Sequence, residues 1–182
     1  MGKIQLKKDQ VVWIGRHGNC NKAQSDNKRE LSEKGMIESN KIGGILSRLG
    51  FMNILSIKDP LFISKQIIVN SPAIRTEQTS RIMFVSQDHE RCIFDELYNF
   101  DQFEGSKRIY HPSRTDIREC IRLDQENILK FQEKPLNFFL EFEIFSAQNV
   151  VIMSHAIISN FVAMMFTEHP MVYEEMLPES GG

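Results

Sequence analysis

Cysteine is scarce in this chain of 182 residues: Cys20, Cys92 and Cys120 make an odd set with no C-x-x-C pair. That excludes a disulfide framework and a zinc knuckle, and it fits a reducing compartment. A basic excess is also missing, since 22 Lys and Arg stand against 24 Asp and Glu, with a net charge of −2 and a pI near 6.2. The electrostatic footprint of a dedicated nucleic-acid or anionic-membrane binder is therefore absent. There is no long apolar run. Ala156–Phe166, the most apolar stretch, carries Ser159 and Asn160 and falls short of the roughly 20 residues a bilayer requires. Val11–Ile14, behind a basic start, is too short for a signal-peptide core, and Leu6 stands where a myristoylation signal needs Ser or Thr. His89, His111 and His169 lack a metal-binding spacing such as H-E-x-x-H and read as surface residues. What remains is 41% hydrophobic and 25% charged, an ordinary globular composition. The expectation is one soluble, cytoplasmic domain spanning residues 1–182, without metal, nucleic-acid partner or membrane anchor.

No internal repeat or low-complexity linker interrupts the chain. Short β-branched runs alternate with longer helical patterns, which points to an α/β fold, a three-layer sandwich around a largely parallel sheet. Val11–Gly15, Lys65–Asn70, Arg91–Phe94 and Asn149–Met153 read as strands. Ser32 is placed to cap a helix running to about Leu49, with Met36, Ile42, Ile45, Leu46 and Leu49 as its apolar stripe and Gly50 as its stop. Gly43 and Gly44 inside it suggest close packing there. A second helix begins near Pro72, and a long one occupies Thr115 to Lys134 and stops at Pro135. Leu136–Phe145 reads as a separate Phe-rich helix, its Phe138, Phe139, Phe142 and Phe145 serving as core, and Ala156–Phe166 as a buried one. Asn53–Ile57 fits either a short strand or a loop.

The strand ends carry the chemistry. Arg16-His17-Gly18 follows the first strand, Ser71-Pro72-Ala73-Ile74-Arg75 the second, Asp95-Glu96 the third and Ser154-His155 the fourth. In open α/β sheets, ligands bind beyond the carboxyl ends of the strands. Two guanidiniums and two imidazoles gathered there describe a pocket for a dianion, because the Arg fork matches phosphate oxygens. A neutral imidazole is also a nucleophile toward phosphorus, and a nearby carboxyl group can protonate a leaving oxygen and then activate water. The pattern suggests two-step phosphoryl transfer through phosphohistidine.

These landmarks resemble a known family. Val11-Val12-Trp13-Ile14-Gly15-Arg16-His17-Gly18 is similar to the strand plus R-H-G signature of the histidine phosphatase superfamily, which includes the phosphoglycerate mutases. Leu31-Ser32-Glu33-Lys34-Gly35 resembles its L-[ST]-x-x-G helix start, Ser71–Thr79 its S-P-x-x-R-x-x-Q-T segment, and Val150–His155 its late strand ending in a second histidine. The order is the family's, and the likeness spans about Val11 to Phe166. Ser71-Pro72-Ala73-Ile74-Arg75-Thr76-Glu77-Gln78-Thr79, with Ser154 before His155, looks most similar to the short bacterial phosphohistidine phosphatases.

The resemblance implies that His17 is the nucleophile, that Arg16, Arg75 and His155 hold the phosphoryl group, and that Gly18 lets backbone approach and holds the His17 ring. Asn21 and the backbone N–H of Ala156 join them as substrate contacts. Glu96 lies where the family often keeps its acid/base, with Asp95 as the alternative. No cofactor is implied, and the partner is a phosphorylated small molecule or a phosphohistidine protein. Departures are visible. Asn19-Cys20-Asn21-Lys22-Ala23 replaces the mutases' E-S-x-x-N, and no substrate-covering insertion is found. Leu177–Gly182 reads as the lead-in to the family's closing strand. The rivals are a mutase-type phosphoryl transfer and a catalytically silent phosphate-binding protein. Phe100–Arg114, with Lys107 and Arg108, is either a substrate-choosing loop over the pocket or a solvated connector.

Overall fold

The structure, a computed structural model, describes residues 4–23, 25–49, 66–84, 90–98, 117–141, 147 and 149–168. Its strands are β1 (Val11–Arg16), β2 (Gln66–Asn70), β3 (Glu90–Ile93) and β4 (Asn149–Ser154). Its α-helices are α1 (Glu33–Arg48), α2 (Ile74–Met83), α3 (Ile117–Glu141) and α4 (Ala156–Ala163). Single 3₁₀ turns lie at Asp26–Lys28 and Asp95–Leu97. The four strands form a wholly parallel sheet in the order β1-β4-β2-β3. The strands sit within a residue of their expected positions, while the segments expected at 53–57, 100–114 and 177–182, and the residues His89, His111 and His169, lie outside the described residues.

Alternation along the strands makes the three layers. Ile67, Val69, Val150 and Ile152 point to one face and pack with α3 and α4, and Ile68, Val151 and Met153 point to the other with Leu46, Met83 and Phe84. Both faces of β2 and β4 are dry, which is why these strands read as continuous apolar runs.

Two helices depart from the sequence reading. First, α1 turns a different face inward: Gly35, Ser39, Gly43 and Leu46 are buried, while Met36, Ile45 and Leu49 are exposed. The small residues are chosen for approach rather than for hydrophobicity. A Cβ on Gly35 would overlap the backbone of Asn19, and one on Gly43 would lie 2.6 Å from the Met83 carbonyl oxygen, whereas Gly44 faces open space. Gly44→Ala is therefore expected to stabilise the fold by about 0.5–1 kcal/mol through helix propensity. Gly43→Ala is expected to destabilise it, because an overpacking cost of about 1–3 kcal/mol opposes that gain. Urea denaturation of the two variants reads the opposite signs.

Second, Pro135 does not end a helix; α3 runs through it to Glu141. Proline removes one helical N–H, but Phe131, Gln132, Pro135, Phe138 and Phe139 share one buried face, so a single stripe of burial outweighs the lost bond. Gln132 Nε2 donates to the Phe161 carbonyl at 2.7 Å, fixing α3 on α4.

The parallel register brings the strand ends level. Arg16 pairs with Ser154, the His17 N–H donates to the Ser154 carbonyl (3.0 Å), and the Ser71 N–H donates to Met153 (3.0 Å). The Phe94 N–H donates to Asn70 (2.9 Å), and Ser154 Oγ donates to Leu97 (2.5 Å), so the turn after β3 is tied to the same edge.

Candidate active site

His17, Arg75, His155 and Ser71 are buried together at that edge, with Arg16 half-buried beside them. The two imidazoles lie edge to face, their centroids 5.1 Å apart. Their tautomers follow from their partners. His17 Nδ1 is 2.7 Å from the Gly18 carbonyl oxygen, which only accepts, so Nδ1 carries the proton and Nε2 keeps its lone pair. His155 Nδ1 is 3.1 Å from Arg75 Nη2, which only donates. Its Nδ1 therefore accepts, and its proton is on Nε2, donated to Ser71 Oγ at 2.7 Å. His17 keeps the lone pair of Nε2, while both ring nitrogens of His155 are engaged.

The loop after β1 is held by residues of α2. The Gly18 N–H donates to Thr79 Oγ1 (3.0 Å), which itself donates to the Arg75 carbonyl (2.7 Å), and the Leu31 N–H donates to Gln78 Oε1 (2.8 Å). Ser32 caps α1 as expected, accepting from the Gly35 N–H at 3.1 Å, and it donates to Asn19 Oδ1 at 2.7 Å. The motif residues Gln78 and Thr79 thus fix the loop that follows His17.

A further acid enters from the 3₁₀ turn at Asp26–Lys28. Asp26 Oδ2 accepts from Arg75 Nη2 (2.7 Å) and Tyr98 Oη (3.1 Å), its Oδ1 from Arg29 Nη1 (3.2 Å), and its carbonyl oxygen from Arg75 Nη1. Tyr98 also meets the His155 ring edge-on at 5.2 Å. Arg75 Nε is buried with no hydrogen-bond partner. An unmet buried donor beside two histidines is a place for an oxyanion.

Burial chiefly, with the charges of Arg75, Arg16 and Arg29, pushes the His17 pKa down to about 3, against the bond to Gly18 that raises it. His155 is lowered too, first by burial, then by His17, Arg75 and Arg16, with Asp26 opposing. Burial would raise the Asp26 carboxyl, but the bonds and charge of Arg75, with Arg29 and Tyr98, hold it below its ordinary value. Both histidines are therefore neutral at pH 7.

Stability should follow. Near pH 7 both states hold the histidines neutral. As pH falls below about 6.5 the unfolded chain takes protons that the fold refuses, and stability is lost at up to about 1.4 kcal/mol per pH unit for each histidine. Urea midpoints between pH 7.5 and 5.5 check this: the decline should flatten in the His17→Asn/His155→Gln double variant, and an equal slope in both proteins would refute it.

No family model matches the sequence, and no curated protein does. Solved structures do. The protein histidine phosphatase SixA complexed with tungstate is 16% identical at TM-score 0.51, covering 84% of this chain and 73% of its own. An alpha-ribazole phosphatase from Shigella flexneri is 12% identical at TM-score 0.55, covering 93% and 86%. A phosphoserine phosphatase from Entamoeba histolytica, solved with phosphoserine, is 16% identical at TM-score 0.56, covering 93% and 87%. The chain spans 63% of the length of a SixA from Nakamurella multipartitia. The chain shares the fold of these phosphatases.

Within this fold, His17, Arg75 and His155 are in mutual contact or adjacent, and Arg16, at the end of β1, acts on both imidazoles through its charge. Gly18 holds the His17 ring with its carbonyl, and its N–H is spent on Thr79. Ala156 opens α4. Asn21 is exposed, and its side chain donates to the Leu31 carbonyl at 3.2 Å. Glu96 stands in the turn after β3 with Lys134 Nζ at 3.9 Å, and Asp95 beside it is exposed. The sequence reading missed Asp26, Tyr98 and the Ser71 hydroxyl. Among the described residues no group of three or more His, Cys, Asp or Glu is arranged to hold a metal, and no helix is long and apolar enough to cross a membrane.

Proposed function

We propose that the protein is a phosphatase acting through a covalent phosphohistidine on His17. The observation that carries this reading is the bond from His17 Nδ1–H to the Gly18 carbonyl. It fixes one tautomer and leaves Nε2 nucleophilic, beside a buried guanidinium with an unmet N–H. Attack by Nε2 on phosphorus forms the N–P bond as the bond to the leaving group breaks. Arg16, Arg75 and His155 face the charge on the transferring oxygens. Water then attacks phosphorus, giving its proton to the Glu96 carboxylate as the N–P bond breaks, and phosphate leaves with His17 neutral again.

The leaving group takes a proton from Glu96 or, where it is an imidazole nitrogen, departs with less help. Neighbours of the fold include a protein histidine phosphatase, an alpha-ribazole phosphatase and a phosphoserine phosphatase. Their common chemistry, a phosphomonoester or phosphoramidate, is the substrate class we assign here. The protein belongs to the superfamily on this reading, as a single domain with the Ala156 N–H at the start of α4 as a substrate contact, while Gly18 serves the His17 ring and Asn21 the Leu31 carbonyl.

The test is phosphate release from a panel of phosphomonoesters and one phosphohistidine-bearing protein. Release from at least one member is expected. A folded protein that binds orthovanadate but releases nothing would instead be a phosphate-binding protein, and conversion of a phosphorylated acid to its isomer without release would mark a mutase.

A further inference from the structure

Arg75 is the most constrained cation of the pocket, 4% exposed and bound on several sides. A guanidinium presents its donors as two forked edges: an end-on edge of Nη1 and Nη2, and a side edge of Nη2 and Nε. Asp26 takes the end-on edge, with its carbonyl oxygen on Nη1 and Oδ2 on Nη2 at 2.7 Å. On the other edge, Nη2 reaches His155 Nδ1 at 3.1 Å and Nε has no partner. Asp26 is held in turn by Arg29 (3.2 Å) and by Tyr98 (3.1 Å), whose ring lies against His155.

We propose that Asp26 is a positioning residue for the phosphoryl site: it grips the end-on edge of Arg75 and so holds Nη2 against His155, with the buried Nε on the same side edge left as the donor for an oxyanion. This rests on the phosphatase reading above. An oxyanion taken up by Nε leaves Asp26 in place, because Asp26 holds only Nη1 and Nη2. Asp26 also supplies the counter-charge that a buried guanidinium requires. Its half-exposed carboxylate, with 53% of the side chain open to water, makes it a support at the rim rather than a reacting group.

The experiment is a double-mutant cycle of Asp26→Ala and Arg75→Ala, with Asp26→Asn as a near-isosteric companion. It is read by orthovanadate affinity and by kcat/KM for p-nitrophenyl phosphate. Asp26→Ala is expected to weaken vanadate binding and kcat/KM by roughly 10- to 100-fold, the scale for losing a group that orients a primary contact. Asp26→Asn, which keeps an oxygen facing Nη2, should lose less. In the Arg75→Ala background, Asp26→Ala should change neither quantity, since its effect passes through Arg75. Tighter vanadate binding or faster turnover in Asp26→Ala would overturn the proposal and make Asp26 a competitor of phosphate. An undiminished loss in the Arg75→Ala background would overturn it as well. If the wild type binds vanadate yet releases no phosphate, the phosphatase reading fails while the vanadate cycle still decides the role of Asp26.

Discussion

His17→Ala is expected to abolish phosphate release, with a loss of about 10⁶-fold, the scale seen when a covalent nucleophile is removed. No other described group stands ready to replace it. His155 is the second imidazole of the pocket, but its Nδ1 lone pair is engaged by Arg75 and its Nε2 proton by Ser71. With both ring nitrogens engaged, it is not a substitute nucleophile. Because Arg75 is held by Asp26 and His155 independently of His17, the variant should still bind orthovanadate within about tenfold of the wild type, an allowance of about 1.4 kcal/mol. Acid-labile, base-stable phosphate should be trapped on the wild-type chain during turnover and not on the variant. Retention of most activity by folded His17→Ala would refute the covalent mechanism outright.

The parts of this site that were legible in the sequence are those written in contiguous residues. A β-branched run followed by Arg16-His17-Gly18, or by Ser154-His155, states both the strand and what leaves its end. Parallel pairing then brings the ends level without further information. Ser32 was legible as a cap because capping is local. The face of α1 was not, because hydrophobicity points to Met36 and Ile45, while the approach of Asn19 and Met83 selects Gly35 and Gly43. The continuity of α3 through Pro135 was hidden for the same reason: a local rule met a tertiary stripe of burial. Asp26 and Tyr98 were invisible. Asp26 meets Arg75 across 49 positions and Tyr98 across 72, and an Asp in a polar loop looks like any solvated acid. The tautomers were equally out of reach, since each depends on a single acceptor or donor that only the fold supplies. The acid/base role of Glu96, with Asp95 as the alternative, is implied only by the family resemblance; the structure has Glu96 in the turn after β3 with Lys134 nearby.

Arg75→Ala is the second large effect, an expected loss of roughly 10²–10³-fold in kcat/KM, the scale for removing one preorganised transition-state donor. Arg75→Lys should recover only a small part of it. Lysine restores the charge but carries one compact ammonium in place of two forked edges. It cannot hold Asp26 on one side while meeting His155 and an oxyanion on the other. The two variants therefore separate charge from geometry. If charge alone mattered, Lys would restore most of kcat/KM. If the forked edges matter, Arg75→Lys should bind orthovanadate better than Arg75→Ala yet turn over nearly as slowly, since transferring oxygens need aligned donors more than nearby positive charge. The loss should fall more on kcat than on KM where Arg75 meets charge that develops in the transition state. Near wild-type kcat in Arg75→Lys would show that the buried guanidinium, despite its bonds to Asp26 and His155, acts only as a cation.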